Sequence, residues 1–347
     1  MSRQIFAKIF FTFVILILIL SIAVYFFVKP VILQIANREL HKIFKESSIS
    51  GLKITKDFIE FQGIEIKEKG AYQFKIKEAR VYYNLRSLLK KKIDKVEALD
   101  ADLDFAKGDI KIKANASLLL DPNTLLLDYI KLKAASFKTD LFEIEGILLN
   151  AAQNQDEGEF YIKTINYNKL KIGDVVGKSG LKGSVLNINP VLVSFIGGSV
   201  KGEFNISLNQ DMNYNLRLNS QGMEIRRLVN DMEFNEKFDM TGRLDGTFYL
   251  SGKGRDIKDI KGDFNTDASG GILIIKDKTF LENVAKQSNQ PLDIIVESFR
   301  NYNYNNGMIK LFMESGNIAL DLKLDGGAGK RSLIIILHDF KKGKETP

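Results

Sequence analysis

The stretch YQFKIKEARVYYNL, Tyr72 to Leu85, decides the fold class. Tyr72, Phe74 and Ile76 alternate with Gln73, Lys75 and Lys77; after Glu78-Ala79-Arg80, the alternation resumes in the other parity at Val81, Tyr83 and Leu85. A period of two is the signature of a β-strand with one apolar face, and the change of parity predicts a bend or a bulge.

The same pattern recurs along the chain. Leu99, Ala101, Leu103 and Phe105 alternate with aspartates, and Ile110, Ile112, Ala114 and Ala116 with lysines and Asn115. Later come Phe204 and Ile206, Tyr214, Leu216 and Leu218, Leu244, Phe248 and Leu250, and Ile318, Leu320 and Leu322. Strict alternation predicts antiparallel strands with one wet face. SLIIIL, 332–337, is continuously apolar and predicts a strand covered on both sides.

Helical spacing is sparse. Ile32, Ile35, Ala36, Leu40, Ile43 and Phe44 predict an amphipathic helix, as do Ile225, Leu228, Val229 and Met232. Thr279 and Glu282 read as a capping box. Pro291 reads as the start of a helix facing the core with Leu292, Ile295, Val296 and Phe299. These helices are too short to cover a dozen or more strands. Either the sheet curls onto itself as a sandwich or barrel, which composition alone favours, or its apolar face lines a trough. An open face of that extent requires a ligand or partner.

The 347 residues are 45% hydrophobic and 27% charged, with a net charge of +7 and basic and acidic residues interspersed. That balance suits a folded protein weakly drawn to anionic surfaces and argues against a nucleic-acid partner. The run Lys90-Lys91-Lys92 is the densest basic spot; a solvated turn is the favoured reading, with a phosphate or headgroup contact as the alternative. There is no cysteine, hence no disulfide or thiolate.

Ile9 to Val28 is a charge-free apolar run preceded by Arg3 and Lys8. About twenty residues span a bilayer core of ~30 Å, and for such an anchor the flanking charges put the N-terminus in the cytoplasm, a cleaved signal peptide with Ser21-Ile22-Ala23 as its site being the alternative. The expected organisation is a cytoplasmic stub and anchor over 1–30, an amphipathic helix over 31–50, one β domain over 51–340 and a polar tail over 341–347. His41 and His338 lack metal-like neighbours in the sequence, and no nucleophile elbow, P-loop or zinc-protease motif is present. No catalytic residue, cofactor or metal is expected.

ARVYYNLRSLLKKKIDKVEALDADLDF resembles the opening of AsmA-like proteins, with Tyr83, Leu85, Ser87, Leu88, Leu89 and Val96 in the corresponding places. FIGGSVKGEFNISL and the segments after it, through Gly242, Gly246, Gly262, Gly271, Phe299, Tyr304 and Gly316, are similar in order to the YdbH type of that superfamily, which also includes TamB. The likeness covers most of the chain outside 122–180; it departs where Gly326-Gly327-Ala328 replaces an asparagine-proline. The resemblance implies a long twisted antiparallel β-groove, taco-shaped, that moves phospholipid between the inner and outer membranes. Its expected lining is Phe74, Ile76, Leu103, Phe105, Ile112, Phe204, Ile206, Leu216, Leu218, Phe248 and Leu320. The expected setting is the bacterial inner membrane, with the bulk of the chain periplasmic. The expected partners are phospholipids and an outer-membrane or periplasmic protein that extends the groove by strand pairing. The alternative is an anchored β-sandwich serving as an assembly factor for envelope proteins.

Overall fold

The computed structural model describes residues 28–337, apart from 69, 91, 141, 168, 255 and 315–316. The expected anchor up to residue 27, His338 and the polar tail lie outside the described residues. Among the described residues no helix is long and apolar enough to cross a membrane. The fold is mainly antiparallel β with short helices, in two compact units that divide between Ala135 and Ser136.

The first unit begins with helix α1 over 28–43, followed by β1 (Glu46–Ile54), β2 (Phe58–Glu68), β3 (Tyr72–Tyr82), α2 (Leu85–Leu89), β4 (Lys95–Lys107) and β5 (Ile110–Asp121). Each strand from β2 to β5 pairs antiparallel with the one before it. β6 (Leu126–Lys138) runs through the division between units.

The parity change falls in β3 between Ile76 and Glu78, which pair with Ile64 and Gln62 of β2 and with Ala101 and Leu99 of β4. The flanking strands carry positive φ at that level, 57° at Gly63 and 48° at Asp100. The register of β4 on β5 shifts between Ala98 and Ala101, and Ser117 Oγ accepts the Asp100 N–H at 3.0 Å. In β4 an extra residue, left-handed at Asp100, makes a bulge across which the apolar set changes parity from Ala98 to Ala101, while β3 keeps its register with both neighbours.

The free side of β1 is engaged by α1. Asn37 Nδ2 donates to the Ile49 carbonyl at 3.1 Å, and the Ile49 N–H donates to Asn37 Oδ1 at 2.7 Å. One side-chain amide thus supplies both bonds that a neighbouring strand would give. Ile32, Ala36 and Leu40 are half-buried as expected, but Ile35 and Ile43 are exposed. The helix contacts the unit through a narrower stripe than the spacing suggested.

The second unit contains β7 (Phe142–Ala152), β8 (Gly158–Tyr167), β9 (Leu170–Lys182), β10 (Val185–Phe195), β11 (Gly198–Ser207), β12 (Asn213–Glu224), α3 (Ile225–Asp231), β13 (Phe238–Met240), β14 (Arg243–Lys253), β15 (Asp256–Thr266), β16 (Gly271–Ile275), α4 (Lys278–Ser288), α5 (Leu292–Arg300), β17 (Tyr302–Tyr304), β18 (Asn306–Glu314), β19 (Asn317–Gly326) and β20 (Gly329–Leu337). The main sheet runs β7-β8-β9-β10-β11-β12-β14-β15-β18-β19-β20, every pair antiparallel.

Two insertions interrupt that order, α3-β13 and β16-α4-α5-β17. They meet as a small sheet with β16 between β13 and β17, and close a core at one end of the unit. Leu244, Leu273, Phe299, Tyr302, Tyr304 and Leu324 are buried there. Tyr302 Oη bonds the Leu324 and Gly329 carbonyls, and Tyr304 Oη bonds the Thr241 carbonyl. Gly242, at φ 121°, has no room for a side chain because the Tyr304 hydroxyl occupies the place of its Cβ, 2.7 Å away.

Three local expectations are corrected here. The N-cap of α4 is Asp277, whose carboxylate accepts the Phe280 N–H at 3.1 Å, so Thr279 lies inside the helix and forms no capping box. In α5, Ile295 and Phe299 are buried but Leu292 and Val296 are exposed, because the core is met by one edge of the helix. In β20, Leu333 is buried whereas Ile334 is 63% exposed, so that strand is covered on one side there.

Candidate functional site

The expected lining residues fall into two sets, one per unit. In the first unit Phe74 pairs with Leu103 and with Ile66, Ile76 pairs with Ala101 and Ile64, and Phe105 pairs with Ile112 and Tyr72. Directly paired side chains lie on the same face of a sheet. Phe74, Ile76, Leu103, Phe105 and Ile112 therefore form one continuous apolar patch.

In the second unit Phe204 pairs with Leu216, which pairs with Leu250. Ile206 pairs with Tyr214. Leu218, Phe248, Gly262, Leu311 and Leu320 make a single row across five strands. Ile260 and Leu311 belong to this face but escape the sequence pattern. A register irregularity opposite Ser251 and Gly252 breaks the alternation before Ile260, and Met308-Ile309-Lys310-Leu311-Phe312 is too uniformly apolar to show its parity.

All eleven expected residues are half-buried, and none belongs to the buried core. The core of the second unit sits beyond them, with Leu218 packed against its rim. Elsewhere in that unit Leu149, Leu181, Leu186 and Ile188 are buried, and Ile188 pairs with Phe204. Most neighbouring positions of opposite parity on β11, β12 and β14 are polar. Arg217, for example, bonds Glu203 at 3.1 Å and lies over the Tyr249 ring at 5.8 Å.

Carboxylates do gather at one place, around Arg80 on the polar face of the first unit. Arg80 donates to Glu60 at 3.0 Å, to Glu78 at 2.9 Å and to Glu97 at 3.5 Å. Gln62 donates to Glu60 at 2.7 Å, and the hydroxyls of Tyr82 and Tyr129 both donate to Glu97 at 2.8 Å. The Gln62 amide, then Arg80, hold the Glu60 carboxyl below its ordinary value against a desolvation that works the other way. Burial, then the bond to Glu97, raises Tyr129. Each carboxylate is bonded by donors on its own or a nearby strand, with Tyr129 reaching Glu97 from β6 past β5, the arrangement of a cross-strand clamp. Among the described residues no group of three or more His, Asp or Glu could hold a metal ion. His41 shares a 3.1 Å contact with Ser47 Oγ. A cleft of about 730 Å³, lined by Glu224, Arg226, Arg243 and Tyr304 among others, includes none of the eleven apolar residues.

Comparison with known proteins gives one match. No curated relative and no solved structure matches the chain significantly. The model of the AsmA family matches residues 133–269, which include Phe204, Ile206, Leu216, Leu218 and Phe248 and much of the 122–180 interval that the sequence likeness left uncovered. The recurring strands with apolar and polar faces thus coincide, over residues 133–269, with the signature of the AsmA family, to which that part of the chain is similar.

Proposed function

We propose that this chain is an inner-membrane-anchored periplasmic lipid-transfer protein, of the YdbH type, in which phospholipid acyl chains lie against the apolar strand faces and headgroups stay in water. The observation that carries the reading is the scarcity of closed core. In the first unit only Leu52, Ile66, Ala79 and Ala101 are buried apolar residues among those described, while Phe74, Ile76, Leu103, Phe105 and Ile112 stay half-open. A sandwich would bury those larger side chains first. An apolar path removes the cost of carrying each CH₂ through water, about 0.8 kcal/mol apiece, and needs no catalytic group. Strand pairing at a sheet edge is the means by which a partner protein would extend the path.

The test is photo-crosslinking in cells, with benzoylphenylalanine placed at Leu216 or Phe248 and, as a control, at Tyr249 on the opposite face. Lipid adducts at the first two positions and none at Tyr249 are expected. Protein adducts alone at Leu216 and Phe248 would replace this reading with that of an envelope assembly factor.

A further inference from the structure

One motif remains outside the lipid-carrying reading: the basic turn after α2. Leu89 is 80% exposed, and Leu125, in the β5–β6 turn, is 75% exposed. Ile93 and Leu126 are also exposed, as are Lys90 and Lys92 in the same turn, which make no ion pair among the described residues. Large apolar side chains held out beside free lysines are unusual in a solvated turn.

This end of the unit is tied down. Asn84 Oδ1 accepts the Ser87 N–H at 2.9 Å, and Asn84 Nδ2 donates to Asp94 at 2.7 Å. Ser87 Oγ also bonds Asp94. Tyr83 Oη donates to the Thr55 carbonyl at 2.5 Å, and Asn123 Nδ2 donates to the Ile93 carbonyl at 2.8 Å, joining the β1–β2 turn, the α2 loop and the β5–β6 turn into one surface. Leu89 and Leu125 are displayed by a fixed frame.

The chain also approaches from this side. α1 folds back along β1, with Asn37 locked to Ile49, so its first two turns run toward the end that carries Thr55. The nine residues before Asn37 extend about 13 Å in that direction. Val31 and Ile35 on these turns are 53% and 47% exposed, on the same helix stripe as Arg38 and Lys42. The charge-free run that starts at Ile9 ends at Val28, where α1 is first described.

From this placement we infer that the α2 loop and β5–β6 turn form a bilayer-docking surface. Leu89, Leu125 and the Val31–Ile35 stripe enter the interfacial region of an anionic phospholipid membrane, and Lys90 and Lys92 meet its phosphates. An apolar tip beside basic side chains matches both layers of such a surface. The inference rests on the proposed membrane anchor but not on lipid transfer. In the combined picture the apolar patch of Phe74 and Leu103 begins one sheet-length from the bilayer.

The absence of cysteine allows clean labelling. Single cysteines at Leu89, Leu125 and, at the opposite end of the same sheet, Asp109 carry a fluorophore in the full chain reconstituted into vesicles containing nitroxide lipid. The vesicles are phosphatidylcholine alone or with phosphatidylglycerol. Quenching at 89 and 125 but not at 109 is expected. In K90E/K92E the docked-to-undocked ratio should fall at least about tenfold on anionic vesicles. Equal quenching at all three sites, in protein that co-floats with vesicles, would overturn the docking surface. Failure to co-float would overturn the anchor and the docking surface that rests on it, leaving the crosslinking result untouched. Quenching indifferent to phosphatidylglycerol and to K90E/K92E would remove the lysines from the assignment.

Discussion

Replacing Phe248 with aspartate distinguishes an apolar face open to lipid from a packed interior. Phe248 and Leu244 lie four residues apart on one face of β14, but Phe248 is half-buried and Leu244 is 3% exposed, inside the capped core. A fully buried large side chain is worth about 1.5–3 kcal/mol, so Phe248 stands to lose on the order of 1–1.5 kcal/mol. Placing aspartate in a strand adds at most about 1 kcal/mol, giving no more than roughly 2.5 kcal/mol in all. Leu244→Asp loses about 2–5 kcal/mol of core packing and leaves an unpaired carboxylate in a dry site, for a total above roughly 5 kcal/mol. Pulse proteolysis in urea, on the full chain in membrane vesicles, measures both variants. Phe248→Asp should remain folded while the lipid crosslink at Leu216 drops several-fold; Leu244→Asp should be largely cleaved. Equal destabilisation by the two substitutions, or an undiminished lipid crosslink in folded Phe248→Asp, would refute the open face.

Asn37→Ala removes both bonds to the Ile49 backbone, and hydrogen exchange at the Ile49 amide should quicken by about tenfold or more, while exchange in the strands of the second unit is unchanged. Glu60→Gln should cost the first unit about 1–2 kcal/mol at neutral pH, read by the same proteolysis. The Glu60 carboxyl is held below its ordinary value in the fold, so its contribution is complete above the unfolded value of about 4.3 and is lost as pH falls through the lower folded one. The gap between wild type and Glu60→Gln should therefore close in acid, and a gap that widens there would contradict the assigned partners.

How much of this was legible in the sequence depends on how local the cause is. The alternation around Phe74 and Leu103 gave strands, their wet and dry faces, and even the parity change near Lys77, because side-chain period is a property of a single strand. The residue that forms the bulge at the same level of β4 was not legible. Asp100 takes positive φ next to Ser117, a contact seventeen positions away. Asn37 reads as an ordinary polar helix position until its partner Ile49 is known. Thr279 and Glu282 matched a capping motif, yet Asp277, two residues earlier, caps the helix; several acceptors near a helix start compete, and backbone geometry chooses among them. The small sheet joining Met240, Leu273 and Tyr302 draws on segments more than sixty residues apart and left no periodic trace. The eleven residues expected to line a groove were picked by parity alone, which tells which side they take but not how far each is covered.

Nearly every strand bonds to its predecessor in the chain, from β1 to β5 and again from β7 to β12. Such contacts are short-range along the sequence, which favours rapid, stepwise ordering. Within each of these runs the polypeptide can fold hairpin by hairpin, each finished strand templating the next, with no wait for a distant closing segment. The same arrangement tolerates growth: a duplicated hairpin adds two rungs and disturbs only the bonds at the point of insertion.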